Sequence, residues 1–84
     1  MNELFWKMQK HDIKLVTEAA TDECGHDCVI FAFNSPIDCN GKRKGISTIF
    51  YLDRVTSNPG FVFQRLNEIL DKFIDREIQH NLNQ

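Results

Sequence analysis

The chain lacks a long apolar run. Nothing in its 84 residues approaches the roughly 20 consecutive apolar positions that a membrane-spanning helix needs, and its opening residues do not form a charged-then-apolar leader. A cytoplasmic location is the expectation. Glycine is scarce, with four residues, and none of them sits in a phosphate-cradling loop. No nucleophile has an obvious base beside it, and histidine occurs only at positions 11, 26 and 80. The chain is therefore not expected to be an enzyme. An excess of base is missing too: 10 Lys and Arg stand against 12 Asp and Glu, a net charge of −2. Such a balance cannot displace counterions along a phosphate backbone. It also falls short of the carboxylate surplus of a DNA mimic. Direct binding of nucleic acid is not expected, and a larger protein is the partner that fits.

The cysteines are few but unevenly placed. Three thiols cannot all pair within one chain, and a reducing cytosol would keep them free for metal binding or burial. Two of them flank a histidine in Cys24-Gly25-His26-Asp27-Cys28. Two sulfurs and one nitrogen, gathered by a turn that Gly25 lets close, match the donors Zn²⁺ takes in closed structural sites. Cys24, His26 and Cys28 are the expected ligands. The fourth stays open among Asp53, Asp22 and Cys39. A chain this short has a small core and gains from such a staple.

The hydrophobic pattern divides the chain, read as one domain over residues 1–84, into five elements. Residues 2–10 predict a short helix with Leu4, Phe5 and Met8 on its buried stripe. From Asp12, Ile13, Leu15 and Thr17 alternate with Lys14, Val16 and Glu18, the period of a half-buried strand. Two further strands are predicted over Cys28–Phe33 and Ile46–Leu52, both rich in aromatic and β-branched residues. Asn40-Gly41 between them is a strong type I′ hairpin signal. A turn centred there would pair Phe33 with Thr48, Phe31 with Phe50, Val29 with Leu52 and Cys28 with Asp53. Beyond it, Asn58 and Pro59 open a helix whose stripe is Val62, Leu66, Ile69, Leu70, Phe73, Ile74 and Ile78, running to about residue 80. Its last turns, around Glu77 to Leu82, are expected to overhang the sheet. The fold class predicted is α+β: an N-terminal helix, a three-stranded antiparallel sheet and a long C-terminal helix.

The remaining polar and aromatic features have plainer readings. Lys42-Arg43-Lys44 beside the turn would keep an exposed ribbon from pairing edge to edge. Trp6, Phe61 and Phe63 exceed what the core needs, and Phe61 and Phe63 lie off the main stripe of the last helix, so one of these two is a candidate anchor for a partner. His11 and His80 are expected near the end of the sheet away from the cysteine loop.

With Gly25-His26 in the first hairpin and Phe31 and Phe33 in the second strand, the element order resembles the double-stranded-RNA-binding domain, which implies RNA binding. The family's lysine cluster at the start of the last helix is replaced here by Asn58-Pro59-Gly60-Phe61-Val62-Phe63-Gln64-Arg65, with a single base. The whole chain is more similar to the small phage-encoded anti-CRISPR proteins, among them a metal-stapled type II-A inhibitor with a short cysteine and histidine cluster like Cys24-Gly25-His26-Asp27-Cys28. That resemblance implies stoichiometric inhibition of an RNA-guided nuclease by docking on it and blocking DNA loading in the host cytosol.

Overall fold

The computed structural model describes residues 2–37 and 39–79. Helix α1, Asn2–Lys10, buries Leu4 completely and Met8 in part, since residues four apart share a face. Phe5, expected on that stripe, lies one residue round the helix and is exposed, whereas Ile13, just past the helix, is buried in the core. The chain leaves α1 through Asp12 at φ 54°, a left-handed position that aspartate tolerates, and Ile13 N–H returns to Met8 C=O at 2.8 Å.

Strands β1, Lys14–Thr21, β2, Asp27–Asn34, and β3, Gly45–Tyr51, form an antiparallel sheet in the order β1-β2-β3. Alternation gives the sheet two unlike faces. Leu15, Phe31, Phe33 and Phe50 point to the helices, where they meet Leu4, Val62, Leu66, Leu70, Phe73 and Ile74. The opposite face carries Val16, Ala32 and Ser47 in one row, then Glu18, Ile30 and Ile49, then Ala20, Cys28 and Tyr51.

The register of β2 on β3 differs from that predicted. Phe33 pairs with Ile46, Phe31 with Thr48, Val29 with Phe50 and Cys28 with Tyr51, a slip of two residues. The pairing of Ser35 with Lys44 fixes it: Ser35 N–H donates to Lys44 C=O at 2.8 Å, and Pro36, lacking an N–H, ends the ladder just beyond. The Ser35 hydroxyl then accepts from Lys44 N–H at 3.0 Å and closes that end. Asn40-Gly41 turns inside the resulting loop instead of joining the strands directly. Because a slip of two preserves which side chains share a face, the predicted core survives.

Leu52 does not extend β3 but opens a short helix, α2, Leu52–Ser57. Helix α3, Pro59–Phe73, begins as predicted, with Asn58 Oδ1 accepting Phe61 N–H at 3.3 Å and Pro59 in the first turn. Asn58→Ala should lower stability by about 1 kcal/mol, the usual worth of such a cap, as read from a denaturant midpoint. Beyond Phe73 the helix continues as a π-helical segment, Ile74–Gln79, and Lys44 Nζ sits 3.3 Å from Glu77 Oε2. That ion pair holds Glu77 against the hairpin loop. Of the overhang expected around Glu77 to Leu82, Glu77 is thus tied back to the loop before β3, while residues 80–82, with His80, lie outside the described residues. Among the described residues no helix is long and apolar enough to cross a membrane.

Candidate metal centre

Pairing of Thr21 with Asp27 leaves five residues, 22–26, to reverse the chain between β1 and β2. Asp22 organises them. Its Oδ1 accepts Cys24 N–H at 2.9 Å and His26 N–H at 2.8 Å, while its own N–H donates to His26 C=O at 3.0 Å. Gly25 N–H donates to Asp22 C=O at 3.1 Å, and Gly25 takes φ 84°, which a side chain would strain. A loop that would otherwise leave several backbone donors to solvent thus closes on one carboxylate.

The second oxygen of that carboxylate is turned to chemistry. Asp22 Oδ2 lies 3.2 Å from His26 Nδ1, and the ligand atoms of Asp22, Cys24 and His26 all lie within 4.8 Å of one another. A tetrahedral divalent ion with bonds of about 2.0–2.3 Å needs its donors roughly 3.5 Å apart. Asp22 and His26 already meet that spacing, and the exposed Cys24 side chain can close the rest by rotation. An ion there would bridge Oδ2 and Nδ1 in place of their direct contact. The Asp22 carboxyl is held below the ordinary carboxylate range, chiefly by the His26 N–H hydrogen bond, with burial opposing and further bonds from the His26 ring and Cys24 N–H assisting. It offers the ion a charged oxygen, and the three residues together could hold a metal.

Cys28 stands apart from this group. It already belongs to β2, is buried, and its Sγ lies 3.5 Å from His26 C=O. Burial first, and then the Asp22 and Asp27 carboxylates, push its thiol up. Of the open fourth positions, Asp22 is the one gathered with Cys24 and His26. Cys39 is exposed in the loop beyond the other end of β2. Asp53, expected opposite Cys28, is displaced by the register slip into α2.

Tyr51 takes the place opposite Cys28, and nothing local in the sequence marks it for this site. Its ring meets the His26 ring edge-on at 6.1 Å, and Asp22, by hydrogen bond and then by charge, holds its phenol above the ordinary range. Together they form one wall of an open cleft of about 620 Å³ lined by His26, Asp27, Tyr51, Leu52, Asp53 and Thr56. His26 is therefore common to the candidate metal-binding group and the cleft.

The other features singled out in the sequence lie elsewhere. Phe63 packs against the core, whereas Phe61 is exposed with the Arg54 guanidinium 5.2 Å from its ring centre. Trp6 is exposed beneath the Lys10 ammonium at 5.1 Å. His11 is half-buried where α1 meets the last helix. No protein-family model, no curated protein and no solved structure matches the chain.

Proposed function

We propose that the chain is a stoichiometric protein-binding domain, zinc-stapled at the β1–β2 loop, that inhibits a CRISPR RNA-guided nuclease by docking on it and blocking DNA loading. The observation that carries a protein partner is the uncovered sheet face. Val16, Ile49 and Tyr51 are 51%, 57% and 53% exposed there, around half-buried Ile30 and Ala32. A continuous apolar patch of this kind, rimmed by Lys14 and Glu18, is typical of a contact surface.

Charge placement supports the same reading over RNA binding. Arg65, the one base where a double-stranded-RNA-binding domain would present lysines, is paired with Glu68 at 2.6 Å. Lys7 is held by Asp71 at 2.6 Å and Lys14 by Asp12 at 3.5 Å. Cations neutralised within the chain contribute little to phosphate binding. Zinc is the ion favoured by a thiolate, an imidazole and a carboxylate at tetrahedral spacing, and its role would be structural, in a bacterial cytosol that keeps Cys24 reduced.

The test is a DNA-cleavage assay with a type II-A nuclease charged with its guide. Equimolar protein added before DNA should abolish cleavage, and protein added after DNA should have little effect. Ile49→Lys, on the open face, should weaken the complex by about 2 kcal/mol, roughly 30-fold, with the fold intact. Full cleavage at excess inhibitor, together with no co-elution on gel filtration, would sink the proposal. Tight, steeply salt-dependent binding to duplex RNA would replace it with the rival reading.

A further inference from the structure

We infer that an ion held by Asp22, Cys24 and His26 turns its fourth coordination position toward the adjoining cleft, where a neutral imidazole from a basic segment of the partner completes the site. This rests on the metal reading above.

Three observations lead to it. The loop gathers three ligand atoms within 4.8 Å, one fewer than a tetrahedral site needs. Cys28, the fourth donor of the same short sequence cluster, is occupied with His26 C=O and is buried in β2. The ring of His26, with its side chain 69% exposed, lines the cleft as well as facing Asp22. A group entering the cleft would therefore arrive beside the ion.

The walls of the cleft select the kind of donor. Zn²⁺ held by one thiolate, one carboxylate and one imidazole accepts either a neutral or an anionic fourth donor, so the choice falls to the groups around the open position. Asp27 and Asp53 stand on the cleft wall and repel a carboxylate or a thiolate, whereas an uncharged imidazole meets no such repulsion. Lysine or arginine beside that histidine would be attracted by the same two carboxylates. Tyr51, Leu52 and Thr56 supply the rest of the lining, and about 620 Å³ admits a ring with its flanking backbone. The metal loop would then be a point of contact as well as a staple.

The test uses Co²⁺ as the ion, because its thiolate charge-transfer band reports Cys24 ligation and its d–d bands report coordination number. Protein purified without a histidine tag is loaded with Co²⁺ and titrated with imidazole and, separately, with acetate. Imidazole should shift the d–d bands to saturation while the thiolate band persists, and acetate should bind far more weakly. In the Asp27→Asn, Asp53→Asn double variant the preference for imidazole over acetate should narrow by about fivefold or more, the effect of roughly one surface-screened charge interaction. Absence of any thiolate band in the unliganded protein would defeat the metal reading itself. A thiolate band with d–d bands indifferent to imidazole would leave that reading standing and overturn this inference, since a residue of the chain would then close the site. Loss of the thiolate band on adding imidazole, or equal affinity for acetate, would overturn it also.

Discussion

Replacing Phe33 with alanine is expected to remove about 3–5 kcal/mol of stability, the range for emptying a fully buried phenylalanine site. Phe33 has no solvent-exposed surface. It lies in the central strand between Leu15 and Ile46, beneath the helix residues Leu4, Val62, Leu66 and Leu70. The loss combines the transfer of the ring with the cavity that it leaves. A domain of this length holds roughly 4–13 kcal/mol in total, so the variant is brought close to unfolding. Melting should drop by about 12–40 °C, at the several degrees per kcal/mol usual for small domains. Phe5→Ala supplies the contrast. That ring is exposed on α1, and its removal should move stability by no more than about 0.5 kcal/mol. Equal losses at the two positions, in paired thermal melts, would show that α1 packs on a different face.

The contrast between these two phenylalanines marks what the sequence can convey. Periodicity is local, so the stripe Val62, Leu66, Leu70 and Phe73 and the strand alternation around Leu15 and Phe33 identify the core directly. Phe5 reads as interior because a nine-residue helix spans too few turns to fix where its stripe is centred. Register is not local. Asn40-Gly41 is a genuine turn former, but the pairing is set where Ser35 exchanges its N–H and hydroxyl contacts with Lys44, and no local pattern marks that pair. The slip is even, which is why the core remained legible although the partner of Cys28 did not. Tyr51 entered the site by that slip and Asp53 left the sheet for α2. The six residues of α2 are too few to display a helical period, and Val55 and Thr56 within them favour strand.

The candidate site divides along the same line. Cys24 and His26 were legible because a tight loop must bring its own members together whatever the rest of the chain does. Cys28 is only two residues on, but strand alternation has begun by Asp27, and from there each side chain is committed to a face of the sheet. Asp22 was nameable only as one candidate among three. Its double role, two backbone N–H groups on one oxygen and an imidazole on the other, depends on the backbone path of the finished loop.

That double role makes Asp22→Asn the most discriminating substitution at the loop. Asparagine keeps an oxygen for Cys24 N–H and His26 N–H but places an amide where Oδ2 faces His26 Nδ1, so the turn persists while the metal donor is lost. Without metal, the variant and the parent should melt within a few degrees of each other near neutral pH. With zinc at 100 times its dissociation constant the parent should gain about 2.7 kcal/mol and the variant almost none. Cys24→Ser should behave like Asp22→Asn, a chelator should return the parent to the level of both, and Cys28→Ser should retain the zinc-dependent gain. Acid provides an independent reading in the metal-free state. Because folding lowers the affinity of Asp22 for its proton, the folded chain binds fewer protons there than the unfolded one. The stability this contributes is complete above the ordinary carboxylate range and is lost as pH falls through the lowered folded value, a slope that Asp22→Asn should flatten. If zinc raises the melting temperature of parent and Asp22→Asn alike, the ion does not sit on Asp22. If Cys28→Ser alone abolishes the gain, the ion is held from the strand and not from the loop.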